Sequence, residues 1–179
     1  MENLRKYIKN ILIESLMEDI HVFRGGTKEY DDFDMSKIGT GDGNSLGGWG
    51  IYCSDSETVA RRYFLKGGVV KEFDINNNSY FDLDDYLDEG VGQQILQELE
   101  SAGINENDLA QFQTDFIDYA NETTNKQVYD WLSYVLGNEK NASLFLESIG
   151  YKGNKFRDKV EIDATNYVLF DPKYIKNIF

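Results

Sequence analysis

Hydrophobic positions recur with two different periods along the chain, and the changes of period mark the predicted elements. In residues 1–19 they recur every three or four positions, which predicts an amphipathic helix. Short apolar runs at 20–24, 49–53 and 69–75 predict strands. The stretch 55–65 again shows helical spacing and predicts a second helix.

The middle of the chain, residues 76–149, predicts several helices with one apolar face each. Two of these faces stop at Gly137 and Gly150, and glycine is a common helix-ending residue. We interpret both faces as core-facing rather than as a cofactor site. Their members are Val128, Trp131, Leu132, Val135 and Leu136 in the first, and Ala142, Phe145, Leu146 and Ile149 in the second.

Strand character returns at 153–156 and at 166–172, where Pro172 marks the end of the last predicted strand. The glycine-rich stretch "GTGDGN" (39–44) lacks the lysine and the Ser/Thr of a phosphate-binding loop. Without such a loop in a strand–helix–strand series, we expect an α+β fold whose sheet is not doubly wound.

Composition narrows the functional classes. A single cysteine, Cys53, excludes an internal disulfide framework and a cysteine-based zinc site, and His21 is the only histidine. The chain contains no run of 18 apolar residues, so we expect no membrane span. Residues 1–19 do not resemble a signal peptide, and we therefore expect a cytoplasmic protein.

The net charge of −14 is concentrated in one segment. Residues 76–125 contain 12 Asp or Glu and no Lys or Arg. Two interpretations stay open: a solvated surface that aids solubility, or a docking face for a basic protein partner. An acidic surface argues against a broad nucleic-acid groove on that face.

The stretch "GGWGIYCSDSETVARRY" (47–63) carries the candidate chemistry. Its glycines allow a backbone or a ligand to come close. Tyr52 and Tyr63 would form a slot for a flat heterocycle. Ser54 places a hydroxyl nearby and, with Glu57 three positions later, is the predicted N-cap of a capping box.

Three motifs together resemble the ADP-ribosyltransferase superfamily of diphtheria-type toxins, poly-ADP-ribose polymerases and their phage and bacterial relatives. They are "FRGGT" (23–27), "GWGIYCSD" (48–55) with Tyr63 behind it, and "NYVLFDP" (166–172). The resemblance implies a split β-sheet core formed by a single domain over 1–179. Residues 1–19 would be an N-terminal helix and 76–149 an acidic helical insertion.

The resemblance also implies the ligand and the site. NAD would be bound as a substrate, without a metal ion. Arg24 and Gly25 would hold its ribose and its nicotinamide amide, and Tyr52 and Tyr63 would enclose the nicotinamide ring, with Ser54 beside it. The remaining residues expected to line the NAD site are Gly26, Thr27 and Gly50.

One position departs from the family pattern. Asn166 stands where the family usually has a catalytic glutamate, which stabilises positive charge as nicotinamide leaves. We expect Glu161 to supply the negative charge, with Asp163 as the reserve candidate and Asn166 orienting the ribose. The loss of the usual glutamate argues against polymerisation and for mono-ADP-ribosylation.

Three functional hypotheses follow. The first is an NAD-dependent mono-ADP-ribosyltransferase, an effector or toxin-like enzyme of phage or bacterial type acting in the host cytoplasm. The second is a catalytically silent module that binds NAD or ADP-ribose, for which Asn166 is the supporting feature. The third is an interaction protein that acts through residues 76–125. The acceptor stays open between a protein, a nucleic acid and a small molecule.

Overall fold

A computed structural model of the protein describes residues 18–26, 33–38, 46–63 and 68–179. Most of the helix predicted for 1–19 lies outside these residues. The described part contains a seven-stranded sheet with the spatial order β4-β5-β6-β2-β1-β3-β7. Its strands are β1 (Ile20–Gly26), β2 (Ile51–Ser54), β3 (Val69–Ile75), β4 (Tyr80–Asp82), β5 (Gly153–Arg157), β6 (Thr165–Leu169) and β7 (Ile175–Ile178).

Helices precede and follow the short strand β4. They are α1 (Glu57–Arg62), α2 (Glu89–Ser101), α3 (Glu106–Phe112), α4 (Asn125–Val135) and α5 (Glu139–Ser148). A π-helical turn at Gln113–Ile117 continues α3. None of the described helices is long and apolar enough to cross a membrane.

The sheet and the helices confirm the predicted α+β class. The strand predicted at 69–75 is observed with those bounds, and α4 and α5 end just before Gly137 and Gly150. Two strands were not predicted, β4 inside the segment read as helical and β7 at the end of the chain. β4 has three residues and is stabilised by parallel pairing with β5, a contact across about 70 positions of sequence.

The predicted N-cap of α1 is wrong. The helix begins at Glu57, and its N-cap is Ser56, whose hydroxyl accepts a hydrogen bond from the Val59 N–H. Ser54 is instead the last residue of β2. Its hydroxyl donates to the Thr165 carbonyl oxygen on β6 at 3.1 Å. Ser54 is therefore bonded across the sheet and is not the N-cap that the capping-box spacing predicted.

The sheet separates two hydrophobic cores. The larger one lies between the sheet and helices α2–α5, and it contains most of the two apolar faces predicted as core. Its buried residues are Phe81, Leu83, Leu87, Ile95, Leu99, Phe112, Ile117, Ala120, Val128, Tyr129, Leu132, Ala142, Leu146 and Phe170. The smaller core comprises Val22, Ile51, Cys53, Phe73, Ile75, Tyr167 and Leu169.

Register determines which side chains share a face of the sheet. Opposite residues in a strand pair point to the same side, and neighbours along a strand alternate. The side that does not carry the smaller core we call the helical face, because helices pack against it at Phe81 and Phe156. It carries Phe23, Tyr52, Ser54, Asn154, Phe156, Asn166 and Val168.

Candidate active site

Strands β1 and β2 are neighbours but pair only at Phe23 and Ser54 within the described part of the chain. β1 stays paired with β3 as far as Gly26, and β2 stays paired with β6 from Ile51 onwards. The two strands therefore separate beyond the Phe23–Ser54 pair. We call the space between residues 24–26 and 51–53 the β1–β2 gap. Unpaired strand edges present backbone N–H and C=O groups to a ligand.

Arg24 bridges this gap. Its Nη1 donates a hydrogen bond of 2.9 Å to the backbone carbonyl oxygen of Tyr52. Arg24 follows Phe23, which faces the helical side, so its own side chain leaves on the opposite side, towards Cys53. Burial lowers the pKa of the Arg24 guanidinium, with the nearby Cys53 acting in the other direction. The arginine side chain and the Tyr52 ring therefore lie on different faces of the sheet.

The ring of Tyr52 is held through its hydroxyl. The hydroxyl oxygen accepts a hydrogen bond from the Gly47 N–H at 3.0 Å and donates one to the Gly48 carbonyl oxygen at 2.8 Å. Burial raises the pKa of Tyr52 well above its ordinary value. The hydroxyl therefore keeps the proton that the second bond requires. The turn that precedes β2 thus determines where the half-buried ring lies.

The glycines before Tyr52 are required by contacts inside the protein. A Cβ atom added at Gly47 would overlap the Phe156 ring, and one added at Gly50 would lie 2.5 Å from the Leu169 carbonyl oxygen. Close packing of β2 against β6 therefore accounts for Gly50, and its contact with NAD stays a prediction. At Gly26, no described heavy atom lies within 4 Å of an added Cβ atom.

Ser54 and Asn166 are register partners on β2 and β6, and they share the helical face with Tyr52. Both are buried, at 1% and 6% exposure. The structure therefore places three predicted site residues from two distant motifs side by side.

Asn166 is oriented by a carboxylate that the sequence analysis missed. Its Nδ2 donates to Asp158 Oδ2 at 3.2 Å. Asp158 Oδ1 accepts from the N–H groups of Val160 and Glu161 and from Arg62 Nη2, at 2.8–2.9 Å. Burial by itself would raise the pKa of Asp158, but these four donors outweigh it and hold the pKa well below its ordinary value.

An aspartate that accepts N–H bonds from positions two and three residues later forms an Asx-type turn. This local signal was present in "DKVE" (158–161) and could have identified Asp158 as the anchor of the β5–β6 turn. Arg62 on α1, by contrast, had no recognisable signal, because its partner lies 96 positions away.

Glu161 lies in the same turn. Its Oε1 accepts a hydrogen bond of 2.6 Å from the Ser56 hydroxyl at the start of α1. The turn thus carries two carboxylates, of which Asp158 is bonded to Asn166 and Glu161 to Ser56 at the start of α1. Asp163, the reserve candidate, is exposed.

The remaining predicted residues take different positions. Gly25 and Gly26 complete β1 and pair with β3. Tyr63 is the C-cap of α1 and is 65% exposed. It lies near enough to Tyr52 to contribute to that residue's raised pKa. Thr27 lies outside the described residues.

Comparison with protein families gives one match, which covers residues 18–179 and is described as ADP-ribosyltransferase in polyvalent proteins. The chain belongs to this family. No curated protein and no solved structure matched the chain. As an ADP-ribosyltransferase domain, it belongs to a class of transferases that use NAD as the ADP-ribose donor. Among the described residues, no group of three or more His, Cys, Asp or Glu side chains could hold a metal ion.

Proposed function

We propose that this ADP-ribosyltransferase domain transfers a single ADP-ribose unit from NAD to a macromolecular acceptor and releases nicotinamide. The observation that carries the proposal is the placement of Tyr52, Ser54 and Asn166 on one face of the sheet beside the β1–β2 gap. The family match supports the reaction class, and the grouping of these three side chains supports a nicotinamide site on this face.

In this proposal the nicotinamide ring lies against Tyr52, and its amide bonds to the backbone at Gly25 and Gly26. Glycine offers N–H and C=O groups to a planar amide without a side chain in the way. Arg24 lies on the opposite face from the Tyr52 ring and uses one of its five N–H donors on the Tyr52 carbonyl oxygen, so any contact of its other donors with the ribose must be made through the β1–β2 gap. Tyr63, at the exposed end of α1, covers the outer side of the ring.

Cleavage of NAD develops positive charge on the ribose, and a carboxylate nearby lowers the barrier. Asn166 is neutral, so the charge comes from elsewhere. The charged Asp158 forms an ion pair with Arg62 and accepts three further hydrogen bonds. Glu161 accepts a hydrogen bond from the neutral Ser56 hydroxyl, and Arg62 lies close enough for the two charges to interact. We therefore assign the electrostatic role to Glu161, with Asn166 orienting the ribose.

The test is the initial rate of nicotinamide release from NAD. Glu161→Gln keeps the shape and removes the charge, so its rate should fall by about 10²–10³-fold. Asp163→Asn tests the reserve candidate in the same turn, and it should retain the parent rate if Glu161 supplies the charge. Asn166→Ala should show a smaller decrease than Glu161→Gln. If Glu161→Gln and Asp163→Asn turn over like the parent while Asn166→Ala is inactive, the asparagine carries the catalysis and the charge assignment is wrong.

Stacking on Tyr52 has its own test. Tyr52→Ala should weaken NAD binding by roughly 2–12-fold, the equivalent of 0.5–1.5 kcal/mol of aromatic contact. Tyr134→Ala removes a tyrosine that is 83% exposed on α4 and should leave the affinity unchanged. Equal affinities in the parent and a folded Tyr52→Ala variant would contradict the site. Mass spectrometry of the labelled acceptor should show single ADP-ribose additions.

The second candidate function is a silent module that binds NAD or ADP-ribose. It is favoured by one observation, the neutral Asn166 amide at the position where the superfamily has its glutamate. Saturable NAD binding without nicotinamide release, in the presence of a cell lysate as the acceptor source, would support this candidate over the transferase.

A further inference from the structure

The turn that holds Tyr52 is itself held by helices far away in the sequence. The Trp49 N–H donates to the Tyr129 hydroxyl at 3.1 Å, and the Trp49 carbonyl oxygen accepts from the Ser143 hydroxyl at 2.8 Å. Tyr129 belongs to α4 and Ser143 to α5, and neither is more than 1% exposed. Both bonds are therefore shielded from competing water.

The two hydroxyls form one buried group. The oxygens of Tyr129 and Ser143 lie 2.9 Å apart, and the Tyr129 hydroxyl donates towards the Glu139 carbonyl oxygen at 3.1 Å. The turn passes so close to this group that a Cβ atom at Gly48, whose φ is +93°, would overlap the Tyr129 hydroxyl. A side chain at Gly48 would therefore separate the turn from the helices.

A third anchor comes from the sheet. Asn154 on β5 is fully buried and donates from Nδ2 to the Gly47 carbonyl oxygen at 2.8 Å. The turn is thus bonded at Gly47 to the sheet, at Trp49 to the helices, and through Gly47 and Gly48 to the Tyr52 hydroxyl. Both of these hydrogen bonds of the Tyr52 hydroxyl are made to backbone atoms of this turn.

We propose that Tyr129 and Ser143 are positioning residues for the nicotinamide site. They fix the turn at residues 47–50, the turn fixes the Tyr52 hydroxyl, and the orientation of the Tyr52 ring therefore depends on α4 and α5. Both residues act through Tyr52 and not by contact with NAD. The proposal rests on the function proposed above, in which Tyr52 contacts the nicotinamide.

The first test needs no ligand. Amide hydrogen exchange is measured on the full chain for the parent, Tyr129→Phe and Ser143→Ala, with Tyr134→Phe on the same helix as the control. Losing one hydrogen bond should speed exchange at the Trp49 amide by about 2–10-fold. The Val168 amide in β6 reports general opening of the sheet. An equal increase at Trp49 and Val168, or none at Trp49, would overturn the proposal.

The second test measures KM for NAD. Tyr129→Phe and Tyr52→Phe should each raise KM by about 2–10-fold. Because both act on the same turn, the KM of the double variant should not exceed the higher of the two single-variant KM values. Multiplying effects would overturn the proposal. If the parent never binds or cleaves NAD, the proposed function fails, while the exchange measurement still decides whether Tyr129 fixes the turn.

Discussion

Asp158→Asn is the most informative single substitution at the site, because it removes the charge at the centre of a buried network without changing its shape. Asp158 is 7% exposed and accepts hydrogen bonds from two backbone N–H groups, from Arg62 and from Asn166. Asparagine keeps one oxygen for the backbone donors. Its amide nitrogen replaces the oxygen that receives Asn166, so that Asn166 must either face another donor or rotate its own amide.

The expected cost follows from these bonds. A hydrogen bond to a charged acceptor contributes about 1.5–3 kcal/mol, and one to a neutral acceptor about 0.5–1.5 kcal/mol. Each of the two retained backbone bonds therefore loses about 1 kcal/mol. With the weakened Arg62 ion pair and the disturbed contact to Asn166, we expect the free energy of unfolding to fall by at least about 2–3 kcal/mol at pH 7.

The pH dependence has a definite direction. The folded pKa of Asp158 lies below that of an unfolded aspartate, about 3.9, so its stabilisation is fully present above that value. As the pH falls through the folded pKa, that stabilisation is lost. The difference between parent and Asp158→Asn should therefore stay constant from pH 7 to about pH 5 and decrease only below about pH 4.

Urea denaturation at a series of pH values measures this difference. Asp163→Asn, an exposed aspartate in the same turn, is the control and should stay within about 0.5 kcal/mol of the parent. Equal stability of the parent and Asp158→Asn at pH 7 would refute the network argument. A difference that instead grows in favour of the parent as the pH falls from 7 to 5 would show that the folded pKa of Asp158 is raised.

Three further outcomes can be checked. Leu146→Ala, in the larger core, should lower the free energy of unfolding in urea by about 2–5 kcal/mol. Leu144 is 42% exposed on the same helix, so Leu144→Ala should lower it far less, and similar decreases would contradict the core assignment. Asn166→Glu places a second carboxylate beside Asp158 and should lower the free energy of unfolding at pH 7. Adding Asp158→Asn should restore part of that free energy, and no recovery would show that the two side chains do not interact. A basic protein that docks on the acidic segment 76–125 should lose affinity steeply as salt rises, whereas salt-independent binding leaves that segment as solvated surface.

The sequence determined the elements whose signals are local. The apolar faces of α4 and α5, their ends near Gly137 and Gly150, and the strand β3 at its observed bounds all follow from spacing within about a dozen residues. The family was also recognisable, because its motifs are short stretches with characteristic residues, and the family match over 18–179 confirms it. Hydrophobic periodicity and turn-forming residues depend only on near neighbours in the chain, and for this reason the sequence alone predicts them.

Only the tertiary structure decided how those elements meet. The choice of Ser56 over Ser54 as N-cap depends on Thr165, which lies 111 positions from Ser54. The face on which Arg24 lies depends on the pairing of Phe23 with Ser54. The "DKVE" turn marks Asp158 locally, but its bonds to Asn166 and to Arg62 are made only in the folded protein. Strand register and buried hydrogen bonds join residues about a hundred positions apart, and no local pattern in the sequence encodes which distant partner each group will find.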